Sequence, residues 1–166
     1  MRIIGAKGQV KDIDSFLEKV DDFSKEKKVV IQALNADMIY GKTHLVSAVE
    51  HAKRAMDRKK NTTNSLSMEI LLYASGERQL KLAIPKMGVK EGKTNIAFVL
   101  ADDKIDDILV EDLLKKLSLD HDDKVLQGDI NTLKKFGIKK ESIATVSQDK
   151  YLDLILEKVA LVDIIK

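Results

Sequence analysis

Lys53–Gln79 reads KRAMDRKKNTTNSLSMEILLYASGERQ. Its first part closes a helical pattern that Thr43 opens and that sets Leu45, Ala48, Val49, Ala52 and Met56 along one face. Asn61–Ser65 breaks the pattern with five polar residues. Leu66–Ala74 then predicts a second, more apolar helix, and Gly76 stops it as a glycine beyond the last helical residue does. Two helices joined by a hydroxyl-rich turn bring cations next to helix-terminal N–H groups, an arrangement suited to phosphate.

Outward from this pair, the remaining chain supplies strands and further helices. Ile3–Ala6 predicts a short strand. Asp12 or Asp14 can cap a helix carrying Ile13, Phe16, Leu17 and Val20 at the i, i+3, i+4, i+7 positions. Val29–Leu34 (VVIQAL) and Asn95–Leu100 (NIAFVL) are short β-rich runs that predict buried strands. Glu77–Met87 fits both periods, through Leu80, Ala83, Ile84 and Met87 for a helix or Leu80, Leu82 and Ile84 for a strand, and Pro85 disturbs either. We take the helix, ending near Ile84. Helical spacing returns at Ile105, Ile108, Leu109, Leu113 and Leu117, a short helix is predicted between Asp129 and Gly137, and a last one over about Asp149–Ile164. The expected fold is α+β: a single compact domain over residues 1–166, with a small mixed or antiparallel sheet packed with a majority of helices.

Composition narrows the function. Charged residues make up 34% of the 166 and apolar residues 44%, which predicts a soluble globule. The absence of cysteine removes thiol catalysis and cysteine-based zinc sites. With no secretory signal and no apolar run of spanning length, a cytoplasmic location is expected. The net charge of +2 hides an asymmetry: residues 40–100 hold eleven Lys/Arg against five Asp/Glu, and residues 101–166 hold eleven against fifteen. A polyanion would therefore meet the middle of the chain.

There, a helical wheel places His51, Arg54 and Arg58 opposite the apolar face, with Lys59 and Lys60 at the helix end. Cations at a helix C-terminus are also favourable on dipole grounds alone. Asn64, Ser65 and Ser67 supply groups able to hydrogen-bond bases and riboses. With aromatics at 4%, base stacking has only a lone Tyr73 to use; a terminal base is instead expected in an apolar crevice lined by Leu45 or Ile70. Gly41-Lys42-Thr43 ends like a phosphate-binding loop, which would make the chain a nucleotide-dependent enzyme, but Ala36 stands where that loop needs glycine, and Thr43 as a helix cap accounts for the residues. His44 and His51 are seven apart, too far for a zinc pair, and Asp120-His121-Asp122-Asp123 predicts a solvated turn. No cofactor, metal or catalytic residue is expected. The last helix, YLDLILEKVALVDIIK, is apolar on more than one stripe, so it is either buried on most sides or offers a second face to a partner. Leu152, Ile155 and Leu156 are the expected partner-binding residues.

Asn35–Leu45 (NADMIYGKTHL) and Asn64–Gln79 (NSLSMEILLYASGERQ) resemble the small PRPK-binding-protein (TPRKB-like) subunits of the KEOPS complex, which makes threonylcarbamoyl-adenosine in tRNA. The resemblance spans about Val29–Phe98 and is sharpest between Asn64 and Gln79. It implies a non-catalytic accessory subunit that binds the single-stranded CCA acceptor end of tRNA and contacts the kinase-like (PRPK-type) subunit. The matching positions are Asn64, Ser65, Leu66, Ser67, Glu69, Gly76, Glu77, Arg78 and Gln79, with Arg78 implied as a phosphate contact. A pure protein-interaction domain without an RNA role is the other alternative.

Overall fold

The computed structural model describes residues 1–165. Its contacts divide the chain into two compact units, Met1–Ala36 with Val89–Leu126 and Asp37–Gly88 with Gln127–Lys166. A four-stranded antiparallel sheet and a helical majority make the fold α+β, as the sequence predicts.

The first unit carries the sheet. Strands β1 (Arg2–Val10), β2 (Ile31–Asn35), β3 (Gly92–Leu100) and β4 (Asp120–His121) lie in the order β2-β3-β1-β4. β1 pairs with β3 along its whole length, from Arg2 opposite Leu100 to Val10 opposite Gly92. It is thus much longer than Ile3–Ala6, because Gly5 and Gly8 interrupt the apolar pattern without interrupting the ladder. Gly5 is required by close approach: a Cβ there would run into the carbonyl oxygen of Asp122. Helices α1 (Ile13–Lys27) and α5 (Asp107–Leu117) are capped by Asp12 and Asp106, whose carboxylates accept from the Ser15 and Leu109 amides at 2.9 and 2.8 Å. They bury Phe16, Val20 and Phe23 on one side and Val110, Leu113, Leu114 and Leu117 on the other. Two periodicity assignments fail here. Leu17 is exposed, and so is Ile108, at 69%; both belong to apolar stripes wider than the surface they meet. The 120–123 run is no solvated turn either: the Asp123 carboxylate accepts from the Gly5 amide at 2.8 Å, and Asp122 pairs with Lys7 at 3.1 Å.

The second unit is helical. It contains α2 (Gly41–Asp57), α3 (Leu66–Ser75), α4 (Leu80–Met87), α6 (Ile130–Phe136), α7 (Lys140–Ala144) and α8 (Tyr151–Ile165). α3 lies among α2, α4 and α8, and Glu69 through Ser75 are all buried, as befits a helix apolar nearly all round. Ser65 caps its start, accepting from the Met68 amide at 3.2 Å, and Gly76 ends it at φ +70°. α6 begins with a reciprocal cap between Asp129 and Thr132 and ends at Gly137. α4 passes through Pro85 and ends at Met87, beyond the expected Ile84. Pro85 removes one hydrogen bond in a helix that stops within a turn, and the Ile84 carbonyl still accepts from Gly88 at 2.8 Å. Thr43 does not cap α2. The cap position is Tyr40, which makes no side-chain cap bond, and Gly41 turns the chain at φ +80°.

Candidate nucleic-acid interface

α2 buries Leu45, Ala48, Val49, Ala52 and Ala55, which turns Arg54 and Arg58 to solvent. Its last turn closes through the left-handed Lys59, with the Lys60 amide donating to the Ala55 carbonyl at 2.8 Å. Arg54, Ala55, Arg58, Lys60 and Asp163 surround a cavity of about 130 Å³. Three expected cations thus meet at one pocket. Lys59, Asn64, Ser65 and Arg78 are exposed, and Ser67 is half-buried. The Ser65 hydroxyl is already engaged, 3.2 Å from Ser67 Oγ and accepting from Met68.

The turn between the helices is held from beneath by Glu69, a residue the sequence marked only through its resemblance. Buried completely, its carboxylate accepts from the Thr62 amide at 3.2 Å, the Thr63 amide at 2.9 Å and the Thr63 hydroxyl at 3.0 Å. A buried carboxylate binding consecutive amides fixes a loop that otherwise lacks regular structure. Composition alone gave no sign of this role.

Three expectations about the site are corrected. Ile70 is 0% exposed and Leu45 likewise, so neither lines a crevice open to a base; both fill the helical core. Tyr73 is also 0% exposed and cannot serve as a stacking platform. Its ring stacks on His51 with centroids 5.5 Å apart, and its hydroxyl donates to Asp163 Oδ1 at 2.5 Å. Burial, then the Asp163 carboxylate, pushes the phenol well above its ordinary range, so it stays a neutral donor. His51, read from the wheel as solvent-facing, is largely covered and donates from Nδ1 to Asp163 Oδ2 at 2.7 Å. The wheel cannot see this contact because Asp163 lies 112 residues away in sequence.

The Gly41-Lys42-Thr43 segment has the wrong surroundings for a phosphate loop. Ala36–Met38 form a short 3-10 turn, Met38 and Ile39 are buried, and the Tyr40 amide donates to His44 Nδ1 at 3.1 Å. His44 is itself wholly buried, and its Nε2 donates to the Ala74 carbonyl at 2.9 Å. Burial, with the charge of Lys86 adding to it, lowers its pKa from 6.5 to about 4. The His44 ring also meets Phe136 edge-on at 5.6 Å, and Lys86 Nζ sits 3.9 Å from the Phe136 centroid while pairing with Glu77 at 3.2 Å. His44 is therefore a structural residue joining α2, α3 and α6.

On α8, Ile155 is 0% exposed, buried with Val159 and Val162, so it cannot belong to a docking face. Leu152 and Leu156 are half-buried, and Ile164 and Ile165 exposed. Exposed apolar side chains also occur on α4, at Leu82 and at Ile84, the second of which the helical periodicity had assigned inward. Among the described residues, no group of three His, Asp or Glu side chains is placed to hold a metal ion, and no helix is long and apolar enough to cross a membrane.

The described residues thus combine a cationic pocket with exposed apolar side chains on an α+β fold. Residues 8–163 match the family described as kinase binding protein CGI-121, and the chain belongs to that family. It is 33% identical over 135 residues to the regulatory protein Cgi121 of Methanocaldococcus jannaschii, an alignment covering 81% of this chain and 84% of that protein.

Proposed function

We propose that this protein is a non-catalytic accessory subunit of the KEOPS complex for tRNA threonylcarbamoyl-adenosine synthesis, acting in the cytoplasm as one functional domain. It binds the CCA acceptor end of tRNA and docks on the kinase-like (PRPK-type) subunit. The kinase partner is supported by the family, described as kinase-binding, and by a relative described as regulatory. The RNA role is supported by the pocket of Arg54, Arg58 and Lys60, followed in the chain by the polar Asn61–Ser65 turn that Glu69 holds. A phosphate enters among the three cations, and Lys59 and Arg78 add exposed positive charge in the same unit. The exposed Asn64 reads a base or ribose edge. Kinase docking uses apolar side chains of the same unit, Leu152 and Leu156 on α8 and Leu82 on α4.

Fluorescence titration of tRNA with the wild type and with Arg54→Ala/Arg58→Ala tests the RNA role. Two or three phosphate contacts give a log–log salt slope of roughly −1.4 to −2 on a single strand, and the double variant should flatten it by about 0.7 or more. Equal binding by both proteins would remove the pocket from the account. A pull-down with the kinase-like subunit tests the docking: Leu152→Glu/Leu156→Glu and Leu82→Glu should each weaken capture, and full capture by both would contradict it.

A further inference from the structure

Among the described residues lining the pocket, Asp163 is the only acid. It comes from α8, whereas Arg54 lies in the last turn of α2, Arg58 caps the end of that helix and Lys60 lies in the turn beyond it. Both oxygens of its carboxylate are held, Oδ1 by the Tyr73 hydroxyl at 2.5 Å and Oδ2 by His51 Nδ1 at 2.7 Å. Those donors are anchored in turn, since Tyr73 is buried in α3 and its ring stacks on His51 of α2. The anion is therefore fixed at the pocket wall rather than waving past it, and its side chain is still 45% exposed on the open side. A cavity of about 130 Å³ has room for about four water volumes at ~30 Å³ each, enough for a phosphate group beside the carboxylate. An anion held by the same cations would lie within a few ångströms of this carboxylate, where like charges repel strongly enough to weaken binding severalfold.

We propose that Asp163 is a built-in counter-anion that lowers the pocket's affinity for phosphate and so keeps RNA binding weak and reversible. The inference rests on the reading of the pocket as an RNA-phosphate site. The carboxylate competes with the RNA phosphate for Arg54, Arg58 and Lys60 and sets which anions gain entry. A diester with one negative charge is tolerated better than a densely charged anion, whose extra charge meets the carboxylate. Tyr73 and His51 are positioning residues for it. They hold the carboxylate in place by donating one hydrogen bond to each of its oxygens.

The experiment is a titration of fluorescent intact tRNA with the full chain as wild type, Asp163→Asn and Asp153→Asn. Asparagine keeps the shape and a hydrogen bond to each neighbour while removing the charge. Asp153, exposed on the same helix but not lining the pocket, controls for net charge. Asp163→Asn should bind roughly three- to tenfold more tightly at low salt, with a salt slope steeper by up to about 0.7. Asp153→Asn should stay within about twofold of the wild type at that salt. A thermal melt checks the fold, and Asp163→Ser, which also removes the charge, should show the same gain. Unchanged or weaker binding by the folded Asp163 variants, or an equal gain with Asp153→Asn, would overturn the inference. Binding that ignores Arg54→Ala/Arg58→Ala would instead sink the reading of the pocket, which separates the two failures.

Discussion

At the scale of single residues, two buried polar side chains tie the second unit's helices and turns together. Glu69 satisfies the amides of Thr62 and Thr63 and the Thr63 hydroxyl. Glu69→Gln replaces one acceptor oxygen by a donor facing donors, and should cost about 1–3 kcal/mol, read as a lower thermal midpoint. An unchanged midpoint would mean that water holds this turn equally well. His44 predicts a pH dependence. Its folded pKa of about 4 lies below the ordinary 6.5, so the unfolded chain takes up the proton first. The associated stability is complete above about pH 6.5 and is lost as pH falls towards 4, by about 3 kcal/mol in full. Thermal midpoints between pH 7 and 4 should fall for the wild type and fall less for His44→Asn, which keeps an acceptor for the Tyr40 amide. Parallel curves would remove His44 as the cause. Neither role was legible beforehand: a lone His or Glu in a helix declares its partner only once the turn opposite it is placed.

At the scale of elements, caps and stops were read better than faces. Ser65 and Gly76 bound α3, and Asp129 and Gly137 bound α6, at the positions local chemistry predicts, because capping depends on neighbours within four residues. Faces depend on what packs against them. Leu17, Ile84 and Ile108 are exposed although periodicity set each inward, and Ile155 is hidden although it was expected on the partner face. β1 was underestimated because its pairing with β3 overrides the poor strand propensity of its glycines. α7 went unseen, being five residues long. Some stops depart from the glycine preference: Ser118 closes α5 in the left-handed region at φ 55°, as Lys28 closes α1. Ser118→Gly should relieve that conformation and raise stability by up to about 1 kcal/mol, partly offset by the entropy of the unfolded chain. A lowered denaturation midpoint would show that the serine makes a compensating contact.

At the scale of the whole molecule, the expected asymmetry of charge can be compared with where the cations lie. The middle of the sequence carries the excess of cations, and the structure gathers three of them at one pocket beside a fixed carboxylate. What sequence could not give was the depth of each group, so Ile70 and Tyr73 had been offered to a ligand that their burial denies. The family is described as kinase-binding, which is the ground for proposing the exposed apolar side chains as a docking face. The central claim remains recognition of the tRNA acceptor end, and one comparison addresses it: binding of the purified protein to intact tRNA and to tRNA trimmed of its CCA end, each at two salt concentrations. Trimming should abolish most of the binding at both salts, and the intact tRNA should show the steeper salt dependence. Equal binding of the two RNAs would contradict acceptor-end recognition and leave the pocket as a nonspecific cationic surface.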